Sequence, residues 1–161
     1  MRLALSRPIP LSLYPTVPLL LACTSGSSMN ELTDFATRYA AAWSSKNPDS
    51  LAAFYTEDGS LQVNEGAPVR GRVAVRATVQ GFMMAFPDMV VRMDSLVQTD
   101  TKTLFYWTWT GTNTGPGGTG KAIRMTGYEE WTLAGGLIAE SKGHFDEAEY
   151  QRQLLEGVPP P

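Results

Sequence analysis

Cysteine is almost missing from this chain. Cys23 is the only one in 161 residues, so no internal disulfide can form. Histidine is as scarce, with His144 alone. One residue of each kind excludes a Cys/His zinc cluster. Charge is sparse too: 18% of residues are charged, 13 basic against 16 acidic, for a formal net charge of -3. No basic stripe appears, which sets nucleic acid aside as a partner. No uninterrupted apolar run reaches the length of an ordinary transmembrane helix. What the chain does have is apolar residues, at 43%, in a length that gives one domain with a substantial core.

Residues 1–28 read as a leader rather than as domain. Met1 to Arg7 carries two arginines and no acid, and Pro8 to Ala22 is apolar and uncharged. Leu20-Leu21-Ala22-Cys23 then has the form of a lipoprotein signal box, followed by a small polar linker. On this reading Cys23 carries the lipid and the protein is anchored to a membrane of a bacterial cell envelope. The alternative is a start at Met29 and a cytoplasmic protein.

The domain is expected over 29–156, with 157–161 as a proline-rich tail. Ser28-x-x-Glu31 reads as a capping box, and Leu32, Phe35, Ala36, Tyr39 and Trp43 recur at helical spacing behind it. Asn47-Pro48 restarts a helix, with Leu51, Phe54 and Tyr55 on its buried side. Thr56 to Gly59 reads as a turn, Leu61 and Val63 as a short strand, and Asn64 to Pro68 as a loop. Gly71 opens a third helix with Val75, Val79, Phe82, Met83 and Phe86 on its stripe, and Pro87 stops it. Extended segments follow at 89–98, 102–113, 121–133 and 137–145. Asp146-x-x-Glu149 caps a last short helix. Helices first and antiparallel strands after predict an α+β domain, helices on one face of the sheet.

One acid breaks the alternation in the third of these strands. One face reads Ile123, Met125, Gly127, Glu129, Trp131, Leu133, and the other Arg124, Thr126, Tyr128, Glu130, Thr132. Successive side chains point to opposite faces, so Glu129 falls on the apolar side. There a carboxylate must find a partner, line a wet cavity or keep its proton. In a pocket its raised pKa would suit it to take a proton from an acidic carbon and return it.

The order of elements and several strings resemble the SnoaL-like polyketide cyclases, within the nuclear-transport-factor-2-like superfamily that also holds ketosteroid isomerases. The strings are Phe86-Pro87-Asp88, Gly111-Thr112-Asn113-Thr114-Gly115, Thr119-Gly120-Lys121, Gly136-Leu137-Ile138 and Phe145-Asp146 with Arg152-Gln153-Leu154-Leu155. The resemblance implies a cone: a curved mixed or antiparallel sheet wrapped around three helices, with an apolar pocket inside. It implies a homodimer, no cofactor, and acid–base chemistry on a carbonyl substrate. It also puts the cyclases' catalytic aspartate at Gly143, their assisting histidine at Glu129, and the histidine of the Gly-Thr-His-Thr-Gly-type string at Asn113.

Glu129 is therefore the first catalytic candidate. His144 is the second: an unbroken strand would aim it outward, and a bulge at Gly143 would turn it in. Tyr39, Asn64 and Asn113 are candidates to steady an enolate oxygen. Trp43, Phe82, Phe86, Trp107, Trp109 and Met125 are pocket wall or plain core. The function expected is a cofactor-independent isomerase or cyclase acting on a small apolar carbonyl compound. The alternative is a non-catalytic module of the same fold that holds a small molecule or a partner.

Overall fold

The computed structural model describes residues 25–158, so the leader with Cys23 and the final prolines lie outside the described residues. The elements run α1 (Ser25–Trp43), α2 (Pro48–Ala52), β1 (Tyr55–Val63), β2 (Val69–Arg70), α3 (Arg72–Ala85), β3 (Val90–Gln98), β4 (Thr103–Thr112), β5 (Ala122–Ala134), β6 (Leu137–Phe145) and α4 (Glu147–Glu156). The strands form one six-stranded sheet in the order β2-β1-β6-β5-β4-β3. β1 runs parallel to β6, and every other pairing is antiparallel. The sheet is mixed and curved, as expected, and it is unclosed. Register shifts in β1, in β3 and at the β5–β6 pairing supply the extra twist that curls it.

Local chemistry explains most boundaries. Asn47 Oδ1 accepts from the amides of Asp49 and Ser50 at 3.0 and 3.4 Å, and Pro48 fills the first turn of α2. Asp146 Oδ1 accepts from Glu149 N at 2.9 Å and starts α4. At the far end of α3, Asp88 accepts from Thr112 N at 2.6 Å and Thr112 Oγ1 at 2.7 Å, tying the helix exit to β4. Those two bonds hold the Asp88 carboxyl below its ordinary pKa.

Three expectations need correction. α1 begins at Ser25, so Ser28 lies inside the helix and does not cap it. Thr56 to Gly59 is not a separate turn. It belongs to β1, where the register against β6 shifts between Tyr55 and Ser60. A Cβ on Gly59 would lie 2.9 Å from the Ile138 carbonyl oxygen, so this irregular stretch needs glycine to approach β6. Phe54 and Tyr55 are not on the second helix, since α2 ends at Ala52 and Tyr55 opens β1. Just past the expected loop, Val69 and Arg70 form an edge strand paired with Leu61 and Ser60.

The core lies in the hollow of the sheet. Tyr39 and Trp43 from α1, Leu51 from α2, Val75 and Val79 from α3, and Phe105, Ile123 and Trp131 from the strands are all buried. Phe105 and Trp131 stack with centroids 4.7 Å apart, and Tyr39 meets Trp131 edge-on at 4.9 Å. These helices close one side of the hollow, and the residues of β5 that face it include the acid.

Candidate functional site

Glu129 sits on the inner face of β5, opposite Phe105 of β4 and Gly143 of β6. It is 5% exposed. Three donors converge on one oxygen: Ser141 Oγ at 2.6 Å, Trp131 Nε1 at 2.8 Å and Tyr39 Oη at 2.9 Å from Oε2. Tyr55 Oη lies 3.0 Å behind Tyr39 Oη. No hydrogen bond reaches Oε1 among the described residues.

Burial raises the Glu129 pKa above its ordinary 4.5, and the bonds from Ser141, Trp131 and Tyr39 pull partly the other way. The phenols of Tyr39 and Tyr55 are raised as well, first by burial and then by the Glu129 charge. Both therefore remain neutral donors at ordinary pH. With three hydrogens already directed at Oε2, a proton bound there would force one of them to turn away. Oε1 can take a proton while all three bonds persist.

Glu129 borders a cavity of about 60 Å³. Trp43 from α1 and Phe82 from α3 close one side. Trp107 and Trp109 come from β4, Leu61 and Val63 from β1, and Gly143 and Phe145 from β6. Met89 and Val91 complete the wall. At ~15 Å³ per water this is space for roughly four waters, which sets the scale of an occupant. A larger groove of about 400 Å³, lined by Lys46, Pro48, Gln80, Met83, Met84, Pro87 and Pro116, holds no carboxylate or imidazole. The smaller cavity is the one with acid–base chemistry on its wall.

Five sequence candidates thus meet at one place: Trp43, Phe82, Trp107, Trp109 and Glu129. Trp107 and Trp109 line the cavity, and their buried indole N–H groups have no hydrogen-bond partner among the described residues. Tyr39 belongs to the site differently from its expected role, because its hydroxyl is spent on Oε2. Phe86 and Met125 are core: Phe86 packs edge-on against Trp109 at 4.8 Å, and Met125 lies opposite Trp109 in the sheet register.

Asn64, Asn113 and His144 are elsewhere. Asn64 accepts from Phe145 N at 2.9 Å and donates to Glu147 Oε2 at 3.0 Å, joining β1 to β6 and α4. Asn113 donates to the Ala85 carbonyl at 3.2 Å and accepts from Thr119 N at 2.8 Å, pinning the loop between β4 and β5 to the end of α3. Neither residue lines the cavity that Glu129 borders. The β6 register is unbroken at Gly143, so His144 pairs with Tyr128 on the outer face and stacks on its ring at 4.6 Å. Its Nε2 lies 3.1 Å from Glu130 Oε1. His144 and Glu129 are on opposite faces of the sheet.

Sequence reasoning missed Ser141, Trp131 and Tyr55 as the shell behind the acid. Ser141 and Trp131 do carry a signal, since both share the inward phase of Gly143 and Glu129 on paired strands. Among the described residues, no three His, Cys, Asp or Glu side chains come together to hold a metal ion.

Residues 36–141 match the family described as SnoaL-like domain. No curated protein matches the chain. Among solved structures, a proposed SnoaL-like polyketide cyclase from Jannaschia sp. CCS1 is 17% identical, with a TM-score of 0.70 over 81% of this chain and 94% of that one. A hypothetical protein with a ketosteroid isomerase-like fold from Catenulispora acidiphila, in complex with trimethylamine, is 16% identical, with a TM-score of 0.68 over 78% of this chain and 98% of that one. TerC, co-crystallised with polyporic acid, is 10% identical, with a TM-score of 0.64 over 77% of this chain and 98% of that one. At these identities the likeness is one of fold.

Proposed function

This chain belongs to the SnoaL-like domain family, and from that premise we propose that it moves a proton on a small carbonyl compound, without a cofactor, using Glu129 as the base. The observation that carries the reading is the asymmetry of one carboxylate. Oε2 is fixed by three donors, and Oε1 is free on a residue that lines the cavity.

In the proposed step the bond between the α-carbon and its hydrogen breaks, and Oε1 takes the proton. The electron pair moves into the carbonyl to form an enolate. The proton then moves from Oε1 to a conjugated carbon, which gives isomerisation, or it is first swapped with solvent and a solvent hydron is delivered to the original carbon, which gives exchange. A raised pKa favours this work, because proton transfer is most effective when the base is tuned toward the operating pH. The donors at Oε2 keep the carboxylate in place while the proton comes and goes. Trp107 and Trp109, whose buried N–H groups have no partner among the described residues, are the candidates to hold the enolate oxygen. Ring closure by the same base would need a substrate larger than about 60 Å³ of free space accommodates without the walls moving.

Deuterium exchange at the α-carbons of cyclopentanone, followed by NMR in heavy water, tests this. The native protein is expected to accelerate exchange by ~10²–10⁴ over buffer, the range for positioned proton transfer. Glu129→Gln is expected to lose the acceleration while melting cooperatively. Equal exchange with both proteins, or none above buffer with either, would sink the assignment.

A second reading, binding without turnover, has support of its own. The cavity wall is almost wholly apolar and aromatic, and two neighbours of this fold were crystallised with small molecules. One of those is an amine and the other an acid by name, so they leave the charge of an occupant here undecided.

A further inference from the structure

The aromatic walls beside Glu129 are set at right angles. Trp43 and Phe82 stand with centroids 6.0 Å apart and planes 82° apart, and Phe82 and Trp109 with centroids 5.8 Å and planes 84° apart. Trp107 adds a further ring from the sheet. The carboxylate on the same wall receives only neutral donors. Among the described residues every ion pair is made by other acids, so no lysine, arginine or histidine balances Glu129.

A buried carboxylate without a counter-charge is costly, and the cost falls if a cation can enter. Aromatic rings facing a small volume attract cations through their negative faces, and tryptophan does so best. Perpendicular rings plus one carboxylate form the kind of box that takes a compact, weakly hydrated cation. The size is compatible as well: room for roughly four waters limits an occupant to a handful of heavy atoms, the scale of a nitrogen bearing a few methyl groups, and excludes a long chain.

We propose that the cavity formed by Trp43, Phe82, Trp109 and Glu129 binds small tertiary or quaternary ammonium ions, with Glu129 Oε1 as the counter-charge and the rings as walls. This rests on the same open edge of Glu129 as the proposed function, and it does not require turnover. An ammonium ion and a ketone would compete for one space.

The test uses two probes of similar size, tetramethylammonium and tert-butyl alcohol, titrated against the full chain by calorimetry and ligand-observed NMR. The native protein is expected to bind the cation at least 10-fold more tightly than the alcohol. Glu129→Gln is expected to abolish that preference, weakening the cation at least 10-fold more than the alcohol. Phe82→Leu, at a half-buried position, is expected to weaken cation binding several-fold more than alcohol binding. Equal affinities in the native protein, no detectable cation binding, or a preference that survives Glu129→Gln would each overturn the proposal. The two readings fail separately. Cation preference without cyclopentanone exchange removes only the proton-transfer function, and Glu129-dependent exchange without cation preference removes only this one.

Discussion

Glu129 has Gly143 across the strand pair and Gly127 one inward-facing position before it, and the two glycines do different work. A Cβ on Gly127 would lie 2.5 Å from Trp107 Cζ2 and 2.7 Å from Cη2, besides meeting the His144 carbonyl. The outer edge of the Trp107 indole therefore occupies the space that a side chain at position 127 would fill. A Cβ on Gly143 would find its nearest neighbours at an ordinary 3.7 Å, one of them Glu129 Cγ. Gly127→Ala should cost about 1–3 kcal/mol, the usual cost of overpacking a filled site. Gly143→Ala should fold with stability within about 1 kcal/mol of native and narrow the cavity. Denaturant unfolding of both variants checks this, and a larger loss for Gly143→Ala would contradict it. Gly143 is also where the cyclases' aspartate would fall. A single carboxylate thus stands where that resemblance implies an acid with an assisting base, and its own neighbours must tune it.

At the scale of elements, the sheet was legible because alternation survives burial. β4 and β5 alternate buried and less buried residues along most of their length, so period-two patterning placed Glu129 on the inner face correctly. The helix starts at Asn47 and Asp146 were legible from their capping side chains. β2 was not legible, since two residues at a sheet edge carry no pattern. Thr56 to Gly59 misled because Asp-Gly is turn chemistry, and here it serves an irregular stretch inside a strand. The shell of the acid was illegible for another reason. Tyr39 comes from a helix 90 positions before Glu129, and only the packing of α1 into the hollow brings them together. The asparagines were wrongly favoured because polarity near a pocket says nothing about which bonds a side chain has already made.

For the whole molecule, the buried acid links stability to pH. The folded Glu129 carboxyl keeps its proton to higher pH than the unfolded one. Below the unfolded pKa, near ~4.3, both states hold the proton and there is no penalty. As pH rises from there, the unfolded chain ionises first and is stabilised, so the fold loses stability until pH passes the folded pKa. The loss then levels off. Its slope is at most about 1.4 kcal/mol per pH unit for one proton. Asp88 and Glu149 work in the opposite sense, since their lowered pKa values give stability that is lost as pH falls. Subtracting the pH profile of Glu129→Gln from that of the native protein removes this shared background. The difference should show native stability declining relative to the variant above the ordinary carboxylate range; a flat difference would count against a buried, shifted acid.

The most direct measurement is on the carboxyl group itself. In protein carrying carbon-13 at the glutamate carboxyls, the Glu129 signal can be identified by its disappearance in Glu129→Gln. It should titrate above the ordinary 4.5 and move when cyclopentanone or tetramethylammonium is added. A Glu129 carboxyl that titrates like a solvated glutamate and ignores both molecules would contradict the account.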